Sequence, residues 1–146
     1  RILKNGGNIY LADDIQFSYY CRDSVKGISD MAKKNGMWNV ITMKLCPGSM
    51  GLRHFVPLLF VLSIIGLVVL GFCFKPLWIL LGVELSLYLI LDFAFSLKIS
   101  SSIKEVLVLL FLFPLFHFSY GIGSIEGILL LFSKKYHDKT YKAPIL

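Results

Sequence analysis

Ionisable side chains are scarce in the second half of this chain. Between residues 55 and 132 they occur only at Lys75, Glu84, Asp92, Lys98, Lys104, Glu105, His117 and Glu126. A water-soluble domain of this size would alternate apolar and polar positions along its helices or strands. The scarcity therefore excludes a soluble fold for this half and predicts an integral membrane protein.

Cysteine is also rare, and its pattern excludes two common kinds of small fold. The three cysteines, Cys21, Cys46 and Cys73, are odd in number and form no CxxC pair, so neither a disulfide framework nor a zinc site is indicated. The chain also lacks a glycine-rich phosphate loop, a histidine cluster and any convincing Ser-His-Asp or Cys-His order. We therefore predict no catalytic residue and no metal site within these residues.

Three long apolar runs are present instead. Residues 55–74 and 77–95 each have the roughly 20 residues that cross a hydrocarbon layer of about 30 Å, and Lys75-Pro76 makes them antiparallel neighbours. Residues 106–132 would form a straight helix of about 40 Å, which is long for one upright span. This run contains Pro114 and three glycines. It forms either a kinked, tilted crossing, which we favour, or a segment that breaks near Gly121 and re-enters.

Basic residues flank the apolar half and give the chain a net charge of +6. Eight precede the first run, among them Lys26, Lys33, Lys34, Lys44 and Arg53, and four follow the last, Lys134, Lys135, Lys139 and Lys142. By the positive-inside rule, this pattern predicts a multi-pass protein of the cell (inner) membrane with a cytoplasmic head and membrane lipids as partners. A third crossing would put the basic tail, residues 134–146, outside, so the side of the tail stays open. The bases form no groove-sized patch, which argues against nucleic acid.

The head divides at about residue 22. Residues 8–12 and 15–21 are β-prone or extended, separated by turns. Ser24 is a plausible N-cap for a helix with a basic face and an apolar face that includes Trp38. We predict that residues 23–54 form an amphipathic region lying in the membrane interface. The alternative is a helix packed on a soluble domain.

Two sets of polar side chains interrupt the apolar runs. Glu84, Tyr88 and Asp92 recur at intervals of four, and ionisable groups at membrane depth usually face a bundle interior, a partner or water. They form one wall of an acceptor path or a contact to a basic headgroup. The alternative is a hydrogen-bonding stripe between helices, with Asp92 near the interface. His117 and Tyr120 share a face with Gly121. His117 is either a structural hydrogen-bonding residue or a substrate contact.

Two stretches carry a resemblance to a known family. The first comprises Arg1–Gly7, Tyr20-x-Arg22-x-Ser24, Asn35-Gly36-Met37-Trp38 and Leu52–Pro57; the second is His117–Gly127, with the pattern H-x-x-Y-G-x-G-x-x-x-G. Together they resemble the C-terminal region of bacterial membrane-bound family 2 glycosyltransferases, which build exopolysaccharide and other surface glycans. The resemblance implies that residues 1–22 are the end of a catalytic GT-A domain, with a nucleotide-sugar site, a divalent cation (Mg²⁺ or Mn²⁺) and a catalytic carboxylate in a preceding part.

The resemblance also assigns roles to residues of this chain. It implies membrane anchoring and contacts to a lipid-linked or glycan acceptor, with Arg22, Trp38, Arg53, His117 and Tyr120 as candidates for binding that acceptor or its phosphate. A guanidinium suits oxyanions, although Arg22 could equally contact lipid headgroups. The chain by itself is expected to be inactive, because the donor and metal sites lie elsewhere.

The chain also departs from the family. Met31 stands where related processive synthases have Gln, and no Arg-Trp pair follows, which favours transfer of a single sugar. The fold expected is mainly α and membrane-embedded: a short β or extended remnant, an interface helix and about three transmembrane helices within residues 55–133. Two alternative functions stay open, a small non-enzymatic membrane subunit and a transporter fragment.

Overall fold

The computed structural model of the chain describes residue 2 and residues 5–133. This part contains four α-helices, α1 (Val25–Leu45), α2 (Val56–Gly71), α3 (Leu77–Ile99) and α4 (Ile103–Phe132), with a short 3-10 helix, Leu52–Phe55, directly before α2. The predicted basic tail, 134–146, lies outside the described residues. Helix is therefore the main structural class, as the sequence indicates.

The two β-prone segments of the head do not form strands. The described residues before Ser24 contain no strand, and their large side chains point outward; Tyr10, Leu11 and Phe17 are 88%, 97% and 83% exposed. A strand needs a neighbour to satisfy its backbone groups, and no such neighbour is present among the described residues. The assignment of 1–22 to the end of a GT-A domain stays a prediction.

Helix α1 begins and ends at clear sequence signals. The Ser24 side chain accepts a hydrogen bond from the Gly27 N–H at 3.2 Å, which confirms the predicted N-cap. The helix continues through Gly36 without interruption. It ends at Cys46, and Gly48 then adopts a positive φ of 76°, a backbone conformation that glycine adopts without steric cost.

Helices α2 and α3 form an antiparallel hairpin, as predicted. The Phe72 and Trp78 rings meet edge to face at the hairpin tip, with centroids 5.5 Å apart. Farther along, Phe60 stacks on Tyr88 with centroids 4.6 Å apart. Residues near the end of α2 thus contact residues near the start of α3, and residues earlier in α2 contact residues later in α3, as antiparallel helices do. By length and composition three segments could cross a membrane: Leu52–Gly71, Leu77–Ile99 and Ile103–Phe132.

Helix α4 is one continuous helix of 30 residues. It starts before the predicted residue 106, because the Ser102 side chain accepts a hydrogen bond from the Glu105 N–H at 3.4 Å and caps its first turn. Pro114 lies inside the helix. The helix does not break near Gly121, which removes that alternative for this segment. Gly121 instead packs against another helix, since a Cβ there would meet Val61 and lie 2.6 Å from the Pro57 carbonyl oxygen.

Helix α1 lies alongside α4, and the two run in the same direction. Ser29 meets Ser119, Lys33 meets Gly123, and Met37 meets Gly127. Residue numbers therefore rise together on both helices in steps of four. The predicted interface helix is thus packed on an apolar helix along its length, and its exposed side carries Lys26, Asp30 and Lys34.

Candidate functional site

The contact between α1 and α4 is built around small residues. A Cβ on Gly36 would overlap the Tyr120 carbonyl oxygen, and a Cβ on Gly123 would overlap that of Lys33. A Cβ on Gly127 would lie 2.7 Å from the Met37 carbonyl oxygen. Small residues at this spacing let two helix backbones approach closely. Glycine is therefore required on both helices of this pair.

Polar side chains fasten the same contact. The Ser29 and Ser119 hydroxyls lie 2.8 Å apart, and the Asn39 amide donates to the Tyr120 hydroxyl. Ser119, Tyr120 and Ser124 are buried, and the Ser124 hydroxyl donates to the Tyr120 carbonyl at 3.1 Å. Tyr120, predicted as an acceptor contact, is therefore engaged in joining two helices.

An ion pair lies at the edge of this contact. The Lys33 Nζ and Glu126 Oε1 atoms are 2.7 Å apart, and both side chains are almost half exposed. A pair with this exposure adds only about 0.2–1 kcal/mol. The pair nevertheless gives Glu126 a partner, although the sequence offers no account of a carboxylate in this apolar run.

A second polar cluster crosses the hairpin and reaches α4. The Ser63 hydroxyl donates to the Glu84 carboxylate at 2.5 Å, and the Tyr88 hydroxyl lies 3.1 Å from His117 Nδ1. His117 Nδ1 also lies 2.9 Å from the Phe113 carbonyl oxygen. A carbonyl oxygen can only accept a hydrogen bond, so the Nδ1 atom of His117 carries the proton of this bond. Nε2 is the ring nitrogen that takes no part in these contacts. These contacts make Glu84, Tyr88 and His117 hydrogen-bonding links between helices.

Asp92 is the most enclosed carboxylate of the described residues. It is 6% exposed and accepts a hydrogen bond from the Ser96 hydroxyl at 3.4 Å. Its Oδ2 atom has no hydrogen-bond partner in the described part of the chain. Asp92 thus continues the stripe of Glu84 and Tyr88, as its spacing predicts, but with one oxygen unpaired.

An open groove borders the start of α1. Its volume is about 500 Å³. The groove is lined on one side by Arg22, Asp23 and the first residues of α1, and on the other by Leu107, Val108, Phe111 and Leu112 of α4. A guanidinium at the rim and an aliphatic wall opposite suit a molecule with an anionic head and an apolar tail. The Asp23 carboxylate would oppose an anion placed on its own side.

The five predicted binding residues do not form one site. Arg22 and Arg53 are exposed, and Trp38 is half-buried on α1. His117 points to α3 and Tyr120 to α1. Among the described residues, no hydrogen bond joins Arg22, Trp38 or Arg53 to the other candidates. Arg22, at the groove, is the candidate whose surroundings best suit a molecule with an anionic head and an apolar tail.

The polar residues of these clusters could be picked out from the sequence, but their hydrogen-bond partners could not. It singled out Tyr120, His117 and Glu84 but gave no partner for any of them. Their partners, Asn39, Tyr88 and Ser63, are ordinary polar residues, and all three lie more than 20 residues away in the chain. The four-residue interval between Glu84 and Tyr88 was the available signal, and it indicates a face without saying what covers it.

Comparison with protein families, with curated proteins and with solved structures finds no match for this chain. The described residues also contain no group of three or more His, Cys, Asp or Glu side chains close enough to hold a metal ion.

Proposed function

We propose that this chain is the membrane-anchoring, acceptor-side part of an inverting family 2 glycosyltransferase. Such an enzyme transfers a sugar from a nucleotide-sugar donor to a lipid-linked or surface-glycan acceptor at the cytoplasmic face of the cell membrane. The donor site, the divalent cation and the catalytic carboxylate would belong to a catalytic domain before these residues. The part described here would hold the acceptor near that domain.

One observation supports the proposal above the others. The two stretches that carry the family resemblance pack against each other, through residues more than 80 positions apart in the chain. Gly36, in the first stretch, contacts the backbone of Tyr120, in the second. Gly123 and Gly127 contact the backbone of α1 at Lys33 and Met37. The residues that carry the resemblance thus contact one another, which supports a shared role for the two stretches.

The groove at Arg22 would suit the acceptor. A lipid-linked acceptor has a phosphate next to a long apolar chain. Arg22 could hold the phosphate, because a guanidinium donates several hydrogen bonds to an oxyanion. Leu107, Val108 and Phe111 would contact the apolar chain. The role of Arg22 would be to bind and orient the acceptor.

We expect Arg22→Ala to impair sugar transfer by weakening acceptor binding. A hydrogen bond to a charged group contributes about 1.5–3 kcal/mol, so kcat/KM for the acceptor should fall roughly tenfold or more. The assay would measure consumption of labelled nucleotide sugars by native membranes containing the protein, with lipid extract as acceptor. Arg22→Lys should recover part of the loss.

Lys26→Ala is the matched control, because Lys26 is an exposed cation four residues after Arg22 that does not line the groove. It should leave kcat/KM unchanged. Equal losses in Arg22→Ala and Lys26→Ala would show that general surface charge matters and that Arg22 is no acceptor contact. Membranes that consume no nucleotide sugar at all would contradict the enzyme and favour a non-enzymatic subunit.

A further inference from the structure

We propose that α4 lies in the plane of the membrane surface and that only the α2–α3 hairpin crosses the bilayer. The apolar stripe of α4, defined by Leu107, Phe111, Ile122 and Leu129, would contact the acyl chains of the leaflet that the hairpin enters, and α1 would cover α4 from the aqueous side. This inference does not depend on the proposed function, because it concerns only how the four helices meet a bilayer.

Helix α4 touches the hairpin near the start of α2. Phe118 packs against Phe60, with ring centroids 5.7 Å apart, and Gly121 packs against Pro57 and Val61. Ile128 and Leu131 lie beside Phe55 and Leu58. All these hairpin residues belong to the first part of α2 or, in the case of Phe55, to the 3-10 helix directly before it. Helix α4 therefore passes across the start of the hairpin.

The second half of α4 does not run toward the hairpin tip. His117 is level with Phe60, because both contact Tyr88. Because α4 follows α3, which ends at the base of the hairpin, an α4 that crosses the membrane must run toward the tip. It would rise about 21 Å over its next 14 residues and would bring Leu131 close to Phe74. Leu131 instead lies near Phe55, at the opposite end of α2. The second half of α4 therefore comes no closer to the hairpin tip than His117 does.

Helix α1 carries charged side chains into whatever position α4 occupies, because the two helices lie side by side. At one end Val25 and Ile28 share a groove with Leu107 and Leu112, and at the other Met43 shares one with Leu131. A crossing α4 would therefore carry α1 through the bilayer with it. The exposed Lys26, Asp30 and Lys34 would then face hydrocarbon, at about 2.5–3.5 kcal/mol for each charge at the bilayer centre. An in-plane α4 leaves these charges in water.

The remaining surface of α4 fits the lipid side. One face packs on α1 through Ser119 and Gly123, and a second packs on the hairpin through His117 and Gly121. The stripe occupies a third face and is 45–63% exposed. Its residues recur at helical spacing, and it contains no charged or polar side chain. It extends the exposed apolar surface of the hairpin, which favours acyl chains as its occupant.

Side-specific labelling tests the topology, and the chain supplies two of the three reporters. Cys21 lies before α1 and Cys73 lies at the hairpin tip, and both are exposed. Variants retaining one native cysteine, and Ser133→Cys in a background without the other three, would be treated with a membrane-impermeant maleimide from each side of native membranes. We expect Ser133→Cys to react from the same side as Cys21 and opposite to Cys73. Reaction from the side of Cys73 would overturn the proposal.

Depth measurement separates an in-plane helix from a steep helix that returns to the same side. Nitroxides at Leu107→Cys, Ile122→Cys and Leu129→Cys span about 33 Å along the axis of α4. We expect them at closely similar, shallow depths in liposomes, and Ile65→Cys, exposed on the middle of α2, at a greater depth. Depths that change steadily from Leu107 to Leu129 across the bilayer would overturn the proposal, whatever the labelling shows.

Discussion

Gly36→Ala and Gly123→Ala are each expected to destabilise the packing of α1 on α4. The added methyl group would overlap a backbone carbonyl oxygen in both cases, that of Tyr120 or that of Lys33. A backbone group cannot move aside as a flexible side chain can, so the helices must separate. Overpacking of this kind costs about 1–3 kcal/mol. The thermal unfolding midpoint of the detergent-solubilised protein should fall for each variant.

Two other glycines provide matched controls. Gly66 in α2 and Gly82 in α3 have open space where a Cβ would stand. Gly66→Ala and Gly82→Ala should therefore keep or raise the midpoint, because alanine is the better helix former by about 1 kcal/mol. A Gly123→Ala variant as stable as Gly82→Ala would show that α1 and α4 are not in contact as described.

Ser63→Ala is expected to weaken the hairpin by more than the loss of one hydrogen bond. The Ser63 hydroxyl donates to Glu84 across the two helices, and both residues lie in segments apolar enough to cross a membrane. Removing the serine leaves the Glu84 carboxyl group without its partner. An unsatisfied buried polar group costs about 1–3 kcal/mol. The measurement is again the unfolding midpoint, in micelles or liposomes.

The double variant distinguishes this cause from a simple packing defect. Ser63→Ala with Glu84→Leu removes both partners, so the polar group no longer needs one, and stability should return to that of the natural chain or exceed it. Ser86→Ala, at an exposed serine on α3, should have little effect. If the double variant were less stable than Ser63→Ala, the hydrogen bond would not explain the loss.

The helices themselves could largely be predicted from the sequence. Ser24 marks the start of α1, and Lys75-Pro76 marks the turn of the hairpin, because these signals act on the local backbone. The start of α4 differs by three residues, since the capping Ser102 is one of three consecutive serines and composition alone does not choose among them. Apolar length gave the spans of α2 and α3 for the same local reason.

The arrangement of the helices could not be predicted in the same way. Lys33 and Glu126 are 93 residues apart, and their pairing depends on which faces of α1 and α4 meet. The spacing of the small residues Gly123 and Gly127 indicates close approach of some helix. It does not say that the partner is α1, because a basic amphipathic helix also suits a lipid surface.

In the extended head, local propensity favours a structure that the described residues do not form. Residues 15–21 contain four aromatic and β-branched residues, so local propensity favours a strand. A strand also needs a neighbour for its hydrogen bonds, and propensity carries no information about one. The exposed Phe17 and Tyr20 would be expected to pack on a preceding catalytic domain if the proposed function holds.

Disulfide trapping tests the pairing of α1 with α4 most directly. In a background without native cysteines, Ser29→Cys with Ser119→Cys would place two thiols where hydroxyls now lie 2.8 Å apart, within reach of a disulfide. We expect this pair to cross-link rapidly on mild oxidation in native membranes. Lys34→Cys with Ser119→Cys, which puts one thiol on the exposed side of α1, should not. Cross-linking of the control pair at an equal or greater rate would contradict the parallel packing of α1 on α4.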